Sequence, residues 1–330
     1  MKELLKKVLI GSGVLRLGAG LTGTGAAILM YHSVRDDPAE AVDSLGGIVH
    51  STSVFRKQME LLARQFHPVS LERIAGFVKG QGDLPARAVA VTFDDGYADN
   101  FALAAPILNQ LGIPATFYVT AGCIAQGELP WPVRLRFAFR NTGRDSWQDG
   151  TGCAFALKSD DDRERAFERA IDQCCKLSGA LQREFVASVE CQLLAAGGPA
   201  GVVAMMTPEQ LRELRSQGQM IGSHTMTHPN VAQLELTEMR YELGESKRAL
   251  EGMLGREVKH FAYPCPSALP HWNEMTATEC AAAGYETSVT TAGGLARKGD
   301  NPQLLKRVLP SKTVQGLRWN LECAFAGRVV

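Results

Sequence analysis

The sequence lacks the features that mark several large protein classes. Its 35 Lys and Arg residues balance its 35 Asp and Glu residues, and no dense basic run breaks that balance, so we expect no nucleic-acid partner. No apolar run approaches the roughly 20 residues needed to span a bilayer. The sequence also has no internal repeat and no low-complexity stretch. With 45% hydrophobic and 21% charged residues over 330 positions, it is typical of a globular chain with one large domain or two ordinary ones.

None of the eight cysteines forms a CxxC pair. This excludes a thiolate zinc site of the usual spacing and a thioredoxin-like motif. A chain this long can build its core without disulfides, so we interpret the cysteines as reduced thiols in a reducing compartment. The expected location is therefore the cytoplasm.

Residues 1–25 form a basic and apolar lead-in. Three lysines precede the apolar run Val8–Leu15, as in a signal peptide, but Arg16 and several glycines interrupt the pattern. Two alternatives stay open for this segment. One is export with cleavage, and the other is contact of residues 1–20 with the inner membrane surface.

From residue 26 onward, short apolar runs alternate with helical patterns. About six such strands predict a closed or nearly closed α/β barrel over residues 26–310. Residues 125–206 break the rhythm and are interpreted as an insertion, with one long helical pattern from about Asp161 to Ala196. Three aromatic residues near its start favour core positions over sugar-stacking ones; they are Trp131, Phe137 and Phe139. Residues 311–330 are expected to form a C-terminal helical tail.

Asp94 and Asp95 follow the buried run Ala88–Phe93 and precede Gly96. In parallel α/β barrels the active site forms at the carboxyl ends of the strands. Adjacent buried carboxylates repel each other, so a bound cation or a helix N-terminus must offset that cost. The alternative is that Asp-Asp-Gly serves only as a turn and helix cap.

His224 and His228 lie four positions apart after another short strand, and Pro229 favours a tight turn over a helix. Alone, the pair is equally typical of solvated loop histidines. Together with one aspartate, it completes a three-ligand set that leaves coordination positions for water, as in catalytic zinc sites. Such an ion lowers the pKa of bound water. The second aspartate is then free to act as a base.

The sequence resembles the polysaccharide deacetylases, also known as the NodB-homology family or carbohydrate esterase family 4. Two motifs carry the likeness, Val91–Tyr97 (VTFDDGY) and Gly222–Pro229 (GSHTMTHP). Flanking matches occur in the expected order; they are Met30–Val34, Phe55–Met59, Gly112–Phe117 and Phe261–Pro264. The resemblance covers about residues 26–310 and is weakest over the insertion.

The resemblance implies a distorted (β/α) barrel of fewer than eight strands, with Asp94 as the general base and Asp95, His224 and His228 as metal ligands. The metal implied is Zn²⁺, with Co²⁺ or Mn²⁺ as alternatives. The implied reaction removes acetyl groups from N-acetylated amino sugars of an oligo- or polysaccharide.

Two positions depart from the family pattern. The arginine that usually precedes the third motif's Tyr-Pro is Ala262 here, and Arg307 is one candidate to brace the base instead. The backbone N–H implied for the oxyanion belongs to Cys265. No late Leu-x-His motif is present, so His32, in an early Tyr-His pair as in circularly permuted relatives, is the expected general acid. His260 and His271 are alternatives.

Two further functions remain open from the sequence. The amine of an amide leaves only if its nitrogen is protonated, whereas the alkoxide of an ester leaves more easily. Weak acid catalysis would therefore favour an O-acetyl esterase. The unusual Ala262 and the absent late histidine would also suit a catalytically impaired carbohydrate-binding protein. The presence of all four residues of the two motifs argues against the latter.

Overall fold

Seven parallel strands and the helices between them form the centre of the molecule. The structure, a computed structural model, describes residues 25–36, 48–177, 179–194, 203–266 and 269–328. The predicted lead-in lies outside these ranges except for Gly25. No helix in the described ranges is both long enough and apolar enough to cross a membrane.

The strands of the described residues are short. They are β1 (Ala26–Tyr31), β2 (Ser33–Arg35), β3 (Val49–Ser51), β4 (His67–Pro68), β5 (Ala88–Phe93), β6 (Ala115–Val119), β7 (Ser146–Gln148), β8 (Ala154–Ala156), β9 (Met220–Ser223), β10 (His260–Ala262), β11 (Thr287–Gly293) and β12 (Leu305–Arg307). The barrel order is β1, β5, β6, β9, β10, β11, β12, with β4 added beside β5. All of these pairs are parallel.

Hydrogen bonds bring the last strand back to the first. Val308 N donates to Ile28 O at 2.8 Å, and Met30 N donates to Val308 O at 3.3 Å. The sheet is therefore a nearly closed barrel of seven strands, which confirms the predicted class with fewer than eight strands. Every residue of β1 and β5 is buried, as expected for parallel strands covered on both faces.

Eleven α-helices are described. They are α1 (Thr52–Gln65), α2 (Leu71–Val78), α3 (Ala105–Gln110), α4 (Ala121–Gln126), α5 (Trp131–Asn141), α6 (Asp160–Cys174), α7 (Gly179–Leu193), α8 (Pro208–Ser216), α9 (Leu236–Leu254), α10 (Glu274–Ala282) and α11 (Val314–Phe325). Side chains that cap the first backbone N–H groups set where several of these helices begin. Thr207 and Gln210 form a capping box at the start of α8, in which each side chain bonds the other's backbone N–H.

The insertion has a small core of its own. Helices α5, α6 and α7 pack around Phe139, Trp147 and Phe167. The predicted single helix over 161–196 is wrong, because α6 ends at Cys174 and α7 begins at Gly179. The three aromatic residues of the sequence prediction are buried, at 5% for Trp131, 7% for Phe137 and 1% for Phe139, so they fill core positions.

The C-terminal helix α11 packs on the barrel. Its Leu317 and Leu321 are completely buried in the main core. Glu322 on the same helix accepts hydrogen bonds from both terminal nitrogens of Arg87, at 2.9 and 3.1 Å. The predicted helical tail is thus a helix that covers part of the barrel.

Candidate active site

Strands β1 and β5 end side by side at one opening of the barrel. Their register pairs Tyr31 with Phe93, so His32 and Asp94 leave the sheet at the same level. Asp94 N donates to Tyr31 O at 2.9 Å, which continues the ladder one step beyond the strand. Both side chains therefore lie at the carboxyl ends of the strands, where parallel barrels place their active sites.

The turn after β5 has a backbone that few residues adopt. Asp95 has a φ of 75°, in the left-handed region, and Gly96 follows at 95°. A Cβ at position 96 would lie 2.9 Å from Val119 Cγ1, so only glycine fits. Such strain persists where surrounding structure enforces it, and it is concentrated at functional sites.

His224 directly follows β9, and the loop to His228 folds back on itself. Thr225 and His228 also have positive φ, 70° and 62°. His228 N donates to Thr225 Oγ1 at 3.0 Å, which closes the loop. The segment is a tight turn and not a helix, in agreement with the sequence prediction.

Glu242 on α9 stabilises this loop through hydrogen bonds to its backbone and to one of its side chains. Its carboxylate accepts hydrogen bonds from Met226 N at 2.8 Å, Thr227 N at 3.0 Å and Thr227 Oγ1 at 2.6 Å. The side chain is buried, and burial raises the pKa of Glu242 despite these bonds. No local pattern marks this residue in the sequence, since a glutamate in an amphipathic helix looks like a surface residue.

Asp95, His224 and His228 converge on one point. Asp95 Oδ1 lies 3.4 Å from His224 Nε2 and 3.1 Å from His228 Nε2. One donor atom from each residue lies within 4.8 Å of the other two, and all three residues are buried. The structure thus brings together the three predicted metal ligands, from loops about 130 positions apart.

The chemistry of these donors fits a cation. His224 Nδ1 lies 2.8 Å from Ala262 O, and because a carbonyl oxygen only accepts, Nδ1 carries the proton. Nε2 is then the ring nitrogen that faces Asp95. Burial raises the pKa of Asp95, but the imidazoles of His224 and His228 outweigh it and hold the pKa well below its usual range. An ionised, buried carboxylate oxygen beside two imidazole nitrogens is a donor set that suits Zn²⁺, which takes such nitrogen and oxygen ligands.

Asp94 faces a different partner. Arg307 Nη1 donates to Asp94 Oδ1 at 2.7 Å, and Arg307 Nε donates to Thr290 O at 2.8 Å. Burial raises the pKa of Asp94, but the Arg307 guanidinium outweighs it and holds the pKa below the usual value. Asp94 is therefore an ionised, proton-accepting group. Arg307 fills the bracing role left open by Ala262, as the sequence suggested.

The backbone of His32 is fixed by the start of the π-helical segment Asn100–Ala104, which follows the aspartates. Asn100 is completely buried, and its Nδ2 donates to His32 O at 2.7 Å. Asp99 accepts from Ser33 Oγ at 2.6 Å and from Val34 N at 3.2 Å. These bonds attach His32 and the two residues after it to the segment that follows Asp94 and Asp95.

Cys265 lies after β10 and faces the same opening. Its Sγ lies 3.4 Å from Tyr263 O and 3.6 Å from Thr291 Oγ1, and burial raises the pKa of the thiol to about 12. The thiol is therefore protonated and a poor nucleophile. Among the described residues, no hydrogen bond involves the backbone N–H of Cys265. That N–H is available to a ligand.

A cavity of about 100 Å³ unites these groups, and we call it the active-site cavity. The predicted site residues all line it; they are His32, Asp94, Asp95, His224, His228 and Cys265. Tyr97 also lines it, although the sequence analysis gave that residue no role. The alternative acids do not line it. His260 is buried against Thr287 Oγ1 at 2.8 Å, and His271 belongs to the loop before α10.

Comparison with known proteins identifies the class of this barrel. The structure of the Streptococcus pyogenes deacetylase PplD in complex with acetate matches with a TM-score of 0.61 and 19% identity, over 91% of this chain and 99% of that one. The fold is therefore that of a deacetylase barrel. The family model described as polysaccharide deacetylase matches residues 81–288, more than half of the chain. This chain belongs to the polysaccharide deacetylase family.

Two curated relatives agree with that assignment. The chain is 21% identical to YxkH of Bacillus subtilis (strain 168) over 294 residues, which cover 88% of this chain and 72% of the relative. It is 35% identical over 94 residues to the poly-β-1,6-N-acetyl-D-glucosamine N-deacetylase of Escherichia coli (strain K12). That second match covers 28% of this chain and 13% of the relative.

Proposed function

We propose that this chain is a metal-dependent N-deacetylase, which hydrolyses the acetamide of N-acetylated amino sugars in a surface polysaccharide. One observation carries the proposal. A single buried carboxylate oxygen of Asp95 faces the Nε2 atoms of His224 and His228, beside a second, arginine-paired carboxylate. The first group is a ligand set, and the second is a base in its proton-accepting form.

Asp95, His224 and His228 would hold the metal. When bound there, a divalent cation supplies Lewis-acid polarisation of a carbonyl oxygen and lowers the pKa of water. Zn²⁺ suits two imidazoles and one carboxylate best, and Co²⁺ or Mn²⁺ accept the same donor types.

Asp94 would take the proton of the water that attacks the acetyl carbon. Its Oδ1 is engaged by Arg307, and none of the hydrogen bonds among the described residues involves Oδ2. Oδ2 is therefore the atom that accepts the proton. Arg307 keeps the carboxylate ionised at neutral pH, because it outweighs the burial that would otherwise raise the pKa of Asp94.

The other two groups serve different steps, one the addition of water and the other the departure of the amine. The Cys265 N–H would donate to the acetyl oxygen as negative charge develops there. His32 would protonate the sugar nitrogen, which cannot leave as an anion. Burial lowers the pKa of His32, against the opposing pull of Asp95 and Asp94. A lowered pKa makes protonated His32 a stronger acid but a smaller fraction of the molecules at neutral pH.

The substrate proposal rests on the named relative. The Escherichia coli protein is a poly-β-1,6-N-acetyl-D-glucosamine N-deacetylase. Its similarity to this chain supports a polymer of N-acetylated amino sugars as the substrate. O-deacetylation is the competing reaction, since an ester needs no acid at the leaving atom.

The test combines metal analysis with acetate release. We expect one divalent ion per chain, and acetate from β-1,6-linked N-acetylglucosamine oligomers. Asp94→Asn should keep the ion and lower the turnover number by about 10²–10⁴-fold. The matched control is Asp83→Asn, at an exposed aspartate outside the active-site cavity.

Two results would overturn the proposal. One is a chain that binds no divalent ion and is unaffected by chelators. The other is near-normal turnover by Asp94→Asn. Release of acetate from O-acetyl esters but never from acetamides would replace the N-deacetylase with an esterase.

A further inference from the structure

The insertion contacts the candidate metal site through Trp131. This residue is the first of α5, is 5% exposed, and belongs to the core of the insertion. Its indole Nε1 donates a hydrogen bond to His228 O at 2.9 Å. The bond joins the insertion to residues 224–228, which we call the ligand loop because they include His224 and His228.

The backbone of His228 is fixed on both sides of its Cα atom. Its N–H donates to Thr225 Oγ1 at 3.0 Å, and its carbonyl oxygen accepts from Trp131. Since Pro229 follows, the peptide unit after His228 has no N–H, and the carbonyl is the only hydrogen-bonding group of that unit. Because both flanking peptide units are planar and held, they set φ and ψ of His228 and the direction in which its imidazole leaves the backbone.

The backbone of His228 does not adopt that conformation readily. Its φ of 62° lies in the left-handed region, where a side chain crowds the following carbonyl oxygen. In this conformation its Nε2 lies 3.1 Å from Asp95 Oδ1, and its ring centre lies 5.0 Å from that of His224. The convergence of the three ligands therefore depends on the contacts that enforce this conformation, and the bond from Trp131 is one of them.

The position of Trp131 is set by its own neighbours. Pro130 and Pro132 flank it, and the ring of each proline fixes its own φ. The indole lies in the same buried cluster as Phe139. Pro130, Pro132 and Val133 also line the active-site cavity. The start of α5 is thus a wall of that cavity and a support for the ligand loop.

We propose that Trp131 is a positioning residue for the metal ligand His228, and that the insertion thereby sets the metal affinity of the site. This inference rests on the proposed function, because it takes Asp95, His224 and His228 as the ligands. The coupling acts in both directions. If the contact from α5 raises the metal affinity, bound metal stabilises that contact by the same free energy.

The Zn²⁺ affinity of the full-length protein, measured by chelator competition, tests the inference. Trp131→Phe keeps an aromatic ring and removes the N–H, so the affinity should fall by about 10–100-fold, as on loss of an outer partner of a ligand. If that variant does not fold, β-(3-benzothienyl)alanine at position 131 replaces the N–H with sulfur in a side chain of nearly the same shape. It should show the same loss.

Trp147→Phe is the matched control. Trp147 is 2% exposed in the same core, and its Nε1 has no hydrogen-bond partner among the described residues. The substitution therefore removes the same atoms from the insertion without breaking a bond to the ligand loop. This variant should bind Zn²⁺ like the parent protein.

Hydrogen exchange supplies a readout that a loss of packing alone would not move. The backbone N–H groups of Val133 and Arg134 both donate to Pro130 O, at 3.0 and 3.3 Å, in the first turn of α5. Saturating Zn²⁺ should slow their exchange in the parent and in Trp147→Phe, and much less in Trp131→Phe.

The outcomes separate this inference from the proposed function. Equal Zn²⁺ affinity in the parent and Trp131→Phe would overturn the inference and leave the proposed function in place. An equal fall in Trp131→Phe and Trp147→Phe would also overturn it, because the effect would then come from the insertion core and not from the bond to His228. A parent protein that binds no divalent ion would overturn the proposed function and this inference with it.

Discussion

Arg307 Nη1 lies 2.7 Å from Asp94 Oδ1, although the two residues are 213 positions apart. Each is at most 3% exposed at its side chain, so the pair is a buried one. The last strand of the barrel therefore supplies the counter-ion for a carboxylate on the second strand of the barrel order. Removing one partner of such a buried pair lowers the free energy of unfolding by several kcal/mol, because the remaining charge is uncompensated.

Arg307→Ala is expected to shift the acidic limb of the pH–rate profile to higher pH. Burial raises the pKa of Asp94 and Arg307 lowers it, so removing Arg307 leaves burial to dominate. Asp94 then becomes protonated at a higher pH, and the base is lost as pH falls. The measurement is kcat/KM between pH 5 and 9. The substitution should also lower the free energy of unfolding by about 3–5 kcal/mol.

Arg307→Lys is the control for that experiment. It retains the charge but loses the bond from Nε to Thr290 O, so its acidic limb should lie closer to that of the parent protein. If Arg307→Ala lost rate equally at every pH, the arginine would act on geometry and not on the pKa of Asp94.

His228→Ala is expected to remove the metal. The remaining Asp95 and His224 supply only two protein ligands. Affinity should therefore fall by more than the roughly 10–100-fold that follows loss of an outer partner. Metal content after dialysis against buffer measures the change. His67→Ala, at an exposed histidine outside the active-site cavity, should keep a full complement of metal.

Glu242→Ala is expected to weaken metal binding without touching a ligand. Glu242 accepts three hydrogen bonds from Met226 and Thr227, which lie between the two histidines. Without it the loop loses its support, and metal affinity should fall by about 10–100-fold in a chelator competition. Glu242→Gln can still accept from both N–H groups while donating to the Thr227 hydroxyl, and so should restore most of the affinity. Failure of that rescue would show that the charge of Glu242 matters more than its hydrogen bonds.

His32→Ala is expected to harm amide substrates more than esters. Removing a general acid lowers the rate by about 10²–10⁴-fold where the leaving atom needs a proton. The aryloxide of an aryl acetate leaves without a proton, so the rate on that substrate should fall far less. The measurement is kcat for an N-acetylglucosamine oligomer and for an aryl acetate. Equal losses on both substrates would exclude His32 as the acid.

Local sequence patterns predict much of this site, for a physical reason. Asp94 and His224 each follow directly from a buried strand, Asp95 and His228 lie in the loops that continue from them, and parallel strands bring their carboxyl ends together. Arg307 was only one candidate, because β12 comes near the end of β5 only when the barrel closes against β1. Glu242 could not be found in this way, since its role depends on where α9 packs and not on its neighbours in sequence.

The insertion shows a different limit. Helical periodicity continues through residues 175–178, so the pattern predicts one helix where there are two. Gly179, which has a φ of 39° and begins α7, was the available signal for a break. The preference of Trp131 for the core was correct, but its indole also bonds His228 O, which no periodicity reveals.

The ion pair between Arg307 and Asp94 also has a consequence for biosynthesis. As the chain leaves the ribosome, Asp94 emerges long before the arginine that neutralises it. Until the final strand is made, the end of β5 cannot be buried with its carboxylate ionised. A nascent or truncated product that stops before residue 307 is therefore expected to be inactive.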